Sequence, residues 1–199
     1  MLTDFYGNHL TTSTGLARDS YDIGVRAFLS ANYGAHEAFS QAIEADPNFA
    51  LAYLGLARAF MSSGQIADAK AGLRKAKDLL EVLTDREKSH FLCCELLLSG
   101  EAKKARAAVY NHVTEWPRDP MVAQMSTSVF GLIGFSGEAG RETDLLDYTT
   151  KLLPHYGDDW WMMSMHAISL CETGKTLKSM QLMEKALNLN PRNANAAHF

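Results

Sequence analysis

The stretch Ala50–Leu83, ALAYLGLARAFMSSGQIADAKAGLRKAKDLLEVL, decides the fold of this chain. Its first half places apolar residues at three- and four-residue steps, which predicts a buried stripe along one α-helix. Ser62, Ser63 and Gly64 interrupt this stripe and predict a tight turn. The same spacing resumes beyond the turn and predicts a second helix. The two stripes consist of Tyr53, Leu56, Ala57 and Phe60, and of Ile66, Ala69, Leu73, Ala76 and Leu80.

Large and small side chains alternate along both stripes. The aromatic residues Tyr53 and Phe60 flank Ala57, and two alanines flank Leu73. The small residues let two backbones approach closely, and the large ones fill the remaining space. The stretch therefore predicts a closely packed antiparallel pair of helices.

Comparable helical hairpins can be placed along most of the chain. Their ends are marked at five regularly spaced positions, where a proline ends one helix before the next begins. These are Pro47, Pro117, Pro154 and Pro191, with Glu81 replacing the expected proline, at spacings of 34, 36, 37 and 37 residues. The predicted units span about 16–49, 50–83, 86–119, 120–156 and 160–193, with a partial sixth from 194. Because the last unit stops soon after it begins, we expect this single solenoid of residues 1–199 to be truncated.

Two segments depart from the regular pattern. The fourth unit has a predicted first helix that includes Val122 and Leu132, followed by a loop with three glycines between 134 and 140. This loop is longer than its counterparts, so we expect it to be the most mobile part of the chain. Residues 1–13 show no periodicity. They are interpreted either as a cap over the first unit or as a loose tail.

Composition and charge exclude several classes of protein. Hydrophobic residues make up 47% of the 199 residues, which is enough for a sizeable core. The net charge of −4 gives no reason to expect a nucleic-acid partner. Three cysteines do not form a disulfide framework and indicate a reducing compartment. The start resembles no signal peptide, and no apolar run approaches the roughly 18 residues of a membrane span. We therefore predict a cytoplasmic protein without membrane or nucleic-acid partners.

The residue order of the central hairpin resembles the tetratricopeptide repeat, whose hairpins stack into a right-handed solenoid. Several short motifs also resemble the tetratricopeptide repeat protein thirty-eight family, and together they cover nearly the whole chain. They are Leu10–Ser13, Ala45–Phe49, Thr84–Glu87, the irregular fourth unit, and Leu189–Pro191 leading to Ala197-His198. The resemblance implies an all-α, right-handed α-solenoid of tetratricopeptide-like hairpins and further repeats beyond residue 199. It implies no catalytic or ligand-binding residue.

Candidate chemical motifs are better explained by the repeat itself. His90, Cys93 and Cys94 have helical spacing that could hold metal ligands, but no second His or Cys group accompanies them, and buried cysteine packs as a small apolar residue. The segment Ser169–Thr176 is similar to a phosphate-binding loop, but it follows a helical stripe where that loop requires a strand. Basic residues of the second helices, such as Lys70, are expected on a solvated convex surface. We predict no catalytic residues, no metal and no cofactor.

Stacked hairpins line a concave surface with their first helices, and such scaffolds bind partners there. The predicted groove residues are Leu51, Leu54, Arg58, Met61, His90, Cys94, Leu97, Trp161, Met165 and Ile168. Members that grip chaperone C-termini carry Lys and Asn where this chain has Ser20, Gly24 and Gly55, which disfavours that activity.

The resulting hypothesis is a non-enzymatic scaffold whose apolar groove binds another protein or peptide. Trp160–Met163 is apolar on every side of its helix and is predicted to be covered by another element. Three alternatives remain open. The groove could be covered by the protein's own further repeats, the chain could be the regulatory part of a longer enzyme whose catalytic region lies beyond residue 199, or it could self-associate.

Overall fold

The computed structural model describes residues 2–198, so Met1 and Phe199, the ends of the predicted solenoid, lie outside the described residues. The described chain is an all-α solenoid of helical hairpins, preceded by one very short pair of strands. The strands are β1 (Leu2–Thr3) and β2 (His9–Leu10). The helices are α1 (Gly15–Leu29), α2 (Ala35–Ala45), α3 (Ala50–Ser62), α4 (Ile66–Lys77), α5 (Asp85–Leu98), α6 (Ala102–Glu115), α7 (Pro120–Thr127), α8 (Arg141–Tyr156), α9 (Trp160–Glu172), α10 (Thr176–Leu189) and α11 (Ala194–Ala197).

The central hairpin, α3 with α4, packs through small residues as the sequence predicts. Ala57 and Ala69 are fully buried between the two helices. A Cβ added to Gly72 would lie 3.2 Å from the Tyr53 carbonyl oxygen, so the two backbones come close together here. Gly64 forms the turn with a φ of +79°, a conformation that glycine adopts without steric cost. The hairpins α1–α2, α5–α6 and α9–α10 pack in the same antiparallel way.

Phe39 on α2 holds the first two hairpins together. Its ring is fully buried between two glycines, Gly24 on α1 and Gly55 on α3. A Cβ on Gly24 would lie 2.7 Å from the ring, and a Cβ on Gly55 would lie 2.5 Å from it, both too close for any real side chain. The two glycines therefore make room for the aromatic ring where the helices stack.

Three predicted helix ends were wrong. The first helix of the fourth unit was expected to reach Leu132, but α7 ends at Thr127 and irregular turns follow. Pro154 was expected to end a helix, whereas it lies inside α8, which continues to Tyr156. A proline in the last turn removes one backbone donor without preventing the helix from finishing. The second helix of the central hairpin was expected to include Leu80, but α4 ends at Lys77 and a 3-10 turn spans Leu80–Val82.

The N-terminal segment, residues 2–14, is neither a loose tail nor a cap over the first unit alone. Leu2 pairs with Leu10 and Thr3 with His9 in an antiparallel hairpin. Leu10 is fully buried, and Tyr6 is almost fully buried. The segment contacts helices of several units, because it lies on the inner side of the solenoid.

The first and last hairpins of the solenoid meet. The Asn195 amide donates a hydrogen bond to the Ser30 carbonyl oxygen at 3.2 Å, and Asn32 Nδ2 donates to the Arg192 carbonyl oxygen. The Arg26 guanidinium lies 5.8 Å from the centre of the Trp160 ring. This closure helps to bury the apolar run Trp160–Met163 against the chain itself. None of the helices within residues 2–198 combines the length and the hydropathy that a membrane span requires.

Candidate functional site

The structure brings the ten predicted groove residues together, but it leaves little of the groove open. Eight of them are buried, and two, Met61 and Leu97, are half-buried. The buried eight are Leu51, Leu54, Arg58, His90, Cys94, Trp161, Met165 and Ile168. The prediction of an open apolar groove along the first helices is therefore corrected. In this structure the first helices converge, and these side chains form the core.

The N-terminal segment fills the inner surface near the start of the first helices. Its backbone is held by side chains of later units. Arg118 Nε donates to the Tyr6 carbonyl oxygen at 2.7 Å, and Arg86 Nη2 donates to the His9 carbonyl oxygen at 2.8 Å. The Thr11 amide donates to Glu87 Oε1 at 2.8 Å. The chain's own first residues thus cover the part of the inner surface near Arg86 and Glu87, which the sequence did not predict.

A buried cluster of charged side chains lies beneath this segment. The Asp119 carboxylate, which is 2% exposed, lies 2.5 Å from Arg86 Nη1 and 3.1 Å from His90 Nδ1. His112 Nε2 lies 3.3 Å from the same carboxylate, and His112 Nδ1 lies 2.9 Å from the Ser89 hydroxyl. The cluster joins α5, α6 and the start of α7.

The protonation states follow from burial and from the central charge. Burial by itself would raise the pKa of Asp119, but the charges of His90 and Arg86 hold this pKa well below its ordinary value. Burial would lower the pKa of His90, and the neighbouring Asp119 charge outweighs this effect and raises the pKa to about 9. Burial lowers the pKa of His112. At neutral pH the cluster therefore contains the Asp119 anion, two cations and a neutral His112.

The His90–Cys94 region offers no accessible chemistry in this conformation. Cys93 and Cys94 are fully buried, and burial raises the pKa of the Cys93 thiol, so it stays protonated at neutral pH. Within residues 2–198, no group of three His, Cys, Asp or Glu side chains is arranged to hold a metal ion. The burial of His90, Cys93 and Cys94 agrees with the packing interpretation of this motif.

An open cavity of about 600 Å³ lies at the C-terminal ends of the first helices, at the opposite end of the inner surface from the N-terminal segment. We call it the Phe130 cavity. Met61 and Leu97, the two half-buried groove residues, line it together with Arg58. The other lining residues are Phe28, Ser62, Ala102, Lys103, Arg106, Gln124, Met125, Ser128, Phe130, Gly131, Leu132, Phe135, Ser136 and Glu138. Three of the ten predicted residues thus line this cavity: Met61 and Leu97 are half-buried at its surface, and Arg58 is buried in its wall.

Two exposed aromatic side chains stand at this cavity. Phe130 is 67% exposed and Phe135 is 71% exposed, and their ring centres lie 5.4 Å apart in an edge-to-face arrangement. Exposed aromatic pairs beside an apolar cavity are typical of surfaces that bind other molecules. Sequence analysis missed this pair because it assigned Phe130 to a helix and Phe135 to a mobile loop.

The loop after α7 has a defined backbone that positions the aromatic pair. The Leu132 amide donates to the Met125 carbonyl oxygen at 2.8 Å and folds the chain back onto α7. A Cβ added to Gly134 would lie 2.1 Å from the Val129 carbonyl oxygen, so this turn requires glycine. The glycines that predicted a mobile loop therefore also permit a compact one.

Charges around the Phe130 cavity are mostly positive. Arg58 is buried at its wall, and Lys103 is exposed at its edge. Arg106 Nη2 lies 2.7 Å from Glu138 Oε2, which neutralises that pair. Lys70 and most basic residues of the second helices are exposed, as expected for a convex surface. Gly174 forms the α9–α10 turn between two helices, so the segment Ser169–Thr176 lacks the strand that a phosphate-binding loop requires.

Comparison with known families identifies the type of repeat in part of the chain. The tetratricopeptide repeat family model matches residues 34–85, which include the central hairpin. The comparison with curated protein sequences gives no match. The Cut9–Hcn1 hetero-tetramer of the APC/C is similar in structure, with a TM-score of 0.51 at 14% identity over 90% of this chain and 34% of that one. This chain thus spans about a third of that protein, and at such identity the similarity shows the fold alone.

Two further solved structures are more distantly similar. YrrB, described as a tetratricopeptide-repeat protein with an unusual peptide-binding site, matches with a TM-score of 0.47 and 16% identity, over 90% of this chain and 87% of that one. MamA matches with a TM-score of 0.40 and 19% identity, over 90% and 94% of the two chains. The match of the family model identifies hairpins of the tetratricopeptide type over residues 34–85.

Proposed function

We propose that this chain is a non-enzymatic scaffold that binds a segment of a partner protein at the Phe130 cavity. The observation that carries the proposal is the exposed pair Phe130 and Phe135 beside a cavity large enough for several side chains. Aromatic side chains at the edge of a desolvated pocket supply much of the energy of known interfaces. The repeat match at residues 34–85 supports an interaction role, because stacked hairpins commonly bind partners on their inner surface.

The proposal moves the binding site from the length of the groove to one end of it. The buried core residues, such as Leu54 and Met165, support the fold and do not contact the partner. The proposed partner is a protein or peptide, without nucleic acid or membrane. The three unpaired cysteines are compatible with the cytoplasm, which we propose as its location. Membership of the tetratricopeptide repeat protein thirty-eight family, the truncation and the self-association alternative remain predictions.

Peptide selection on the intact chain tests the proposal. A random dodecapeptide library displayed on phage is selected against the 199-residue chain, and the recovered peptides are then measured by fluorescence polarisation. The double substitution Phe130→Ser with Phe135→Ser should weaken their binding at least about tenfold, because it removes two aromatic anchors. Helical circular dichroism should stay unchanged, because both rings are exposed.

Tyr33→Ser is the matched control. Tyr33 is a fully exposed aromatic residue in the turn between α1 and α2, outside the Phe130 cavity. Its loss should leave the affinity of the selected peptides unchanged. If the library yields no peptide whose binding depends on Phe130 and Phe135, the proposed function is wrong.

A further inference from the structure

Arg58 is a buried cation that forms no ion pair within residues 2–198, although the Cys94 side chain and the Asp119 charge both act to raise its pKa. Its side chain is 3% exposed, and no carboxylate within residues 2–198 lies within 4 Å of its guanidinium. Nη1 donates to the Met121 carbonyl oxygen at 2.8 Å, and Nη2 donates to the neutral side chain of Gln124. The third nitrogen, Nε, is buried and has no hydrogen-bond partner in this part of the chain.

A buried charge of this kind is costly unless an opposite charge accompanies it. Arginine keeps its proton at neutral pH even where burial lowers its pKa, as it does for Arg58. A leucine or methionine would fill the same core position without that cost. The Phe28 ring lies 5.2 Å from the Arg58 Cζ and offsets only a small part of it. Arg58 is therefore suited to interact with something other than the chain itself.

The position of Arg58 indicates where the missing anion would lie. The side chains of Arg58 and Gln124 both line the Phe130 cavity. Lys103 lines the same cavity and has no ion pair among the described residues. The cavity's single acidic lining residue, Glu138, is already paired with Arg106. Two positive charges, one of them buried, are thus left without an ion pair at a cavity that apolar and polar side chains line together.

We propose that the Phe130 cavity binds a partner segment that carries an aspartate or glutamate, whose carboxylate pairs with Arg58. Apolar residues beside this acid pack against Phe130 and Phe135, and Lys103 attracts the acid from the edge. Charge complementarity commits the site to an acidic, apolar segment of another protein. The inference rests on the proposed function, since it names the chemistry of the partner that the same cavity takes.

The peptides selected on the intact chain provide the test. Peptides that depend on Phe130 and Phe135 should share an acidic residue next to apolar ones. Replacing that acid by its amide, Glu by Gln or Asp by Asn, should weaken binding to the unmodified chain at least about tenfold, because it removes a charge-assisted pair in a desolvated site. This comparison changes only the peptide, so it does not depend on the stability of any protein variant.

Substitutions in the protein then locate the partner charge. Arg58→Met should remove the preference for the acidic peptide over its amide, and Arg58→Lys should keep part of it. Arg74→Met, at an exposed position on α4, is the control and should leave the preference unchanged. Added salt should weaken the binding of the acidic peptide more than the binding of its amide variant.

The failures of the two proposals are distinguishable. If peptides depend on Phe130 and Phe135 but bind equally well with acid or amide, the carboxylate inference is wrong and the proposed function stands. An acid preference that survives Arg58→Met in a folded protein would also overturn the inference. If no peptide depends on the aromatic pair, both proposals are wrong.

Discussion

Asp119 shows at the scale of single residues how the inner side of the solenoid is held. The side chains of Arg86 and His90 on α5 and of His112 on α6 lie close to its carboxylate. The carboxylate also accepts a hydrogen bond from the Val122 amide at the start of α7. The sequence could not indicate this cluster, because Arg86 and His90 are 33 and 29 residues away from Asp119 in the chain, and no repeat pattern specifies polar residues at these positions. It could only place His90 on the inner face.

The first prediction concerns the charge of Asp119. Asp119→Asn keeps the size of the side chain and its ability to cap α7, but it leaves the Arg86 cation buried without an anion and removes the charge that keeps His90 protonated. We expect the free energy of unfolding to fall by about 3–5 kcal/mol, the usual effect of removing one partner from a buried ion pair. Urea denaturation followed by circular dichroism measures it. Asp147→Asn, at an exposed position of α8, should change stability by less than about 0.5 kcal/mol.

The second prediction concerns pH. The pKa of His90 is about 9 in the folded chain, whereas an unfolded histidine has a pKa of about 6.5. Its bound proton therefore stabilises the fold fully below about pH 6.5, and this contribution is lost as the pH rises through about 9. We expect the free energy of unfolding to fall by roughly 2–4 kcal/mol between these values.

The variant His90→Gln is the comparison for this pH dependence. The contributions of Asp119 and His112, whose pKa values are lowered, change at lower pH. The Cys93 thiol, whose pKa is raised, affects both proteins alike at high pH. The difference in stability between the native chain and His90→Gln should therefore shrink from pH 6.5 to 9. Two parallel curves from urea titrations would show that His90 is not charged in the folded state.

At the scale of elements, the sequence predicted the hairpins well and their irregular parts poorly. The spacing of apolar residues between Ala50 and Leu83 depends on local packing within one pair of helices, and a periodic sequence pattern can indicate such packing. The loop after α7 depends instead on close backbone contacts, such as the one at Gly134, and these have no period. Sequence analysis therefore interpreted its glycines as mobility, and the positions of Phe130 and Phe135 were missed.

The third prediction tests how α1, α2 and α3 stack. In Gly55→Ala the new methyl group meets the Phe39 ring, which is fully buried and cannot move away freely. We expect a loss of about 1–3 kcal/mol in the free energy of unfolding, as is usual for overpacking. Phe39→Leu alone should also destabilise, because it leaves a cavity.

The double variant is the decisive measurement. Leucine has no ring at the position of the clash, so Gly55→Ala with Phe39→Leu should be more stable than the sum of the single effects predicts. Gly15→Ala, where an added Cβ meets nothing within 4 Å, is the control and should be neutral or slightly stabilising. Simple additivity in the double-mutant cycle would mean that Gly55 is not required by the Phe39 ring.

At the scale of the whole molecule, the closed inner surface could not be predicted from the sequence. The hairpins predict a curved solenoid, but the contact of its two ends depends on single hydrogen bonds such as Asn195 to Ser30. Part of what holds the N-terminal segment is hydrogen bonding to its backbone carbonyl oxygens, which carry no sequence signal. Both features convert an expected groove into a core, and they leave the Phe130 cavity as an accessible part of the inner surface.

The last prediction tests whether later units hold the N-terminal segment in place. Arg118 bridges two parts of the chain, since its Nε donates to the Tyr6 carbonyl oxygen at 2.7 Å and its Nη1 donates to the His155 carbonyl oxygen at 2.6 Å. In Arg118→Met both donors are lost, so the segment should open more often. Hydrogen exchange of backbone amides in residues 2–12 should then quicken about tenfold, while exchange in α3 and α4 stays unchanged.

Arg141→Met provides the matched control, because Arg141 pairs with Glu142 at the surface and does not contact the N-terminal segment. Its exchange pattern should equal that of the native chain. Uniformly faster exchange throughout the Arg118→Met chain would indicate that the segment and the solenoid unfold as one unit. Selective opening would instead make the N-terminal segment a separable element, and the inner surface beneath it would then be exposed part of the time. That surface is complementary to the segment, because Leu10 is fully buried against it and Arg86 donates a hydrogen bond to the segment's backbone.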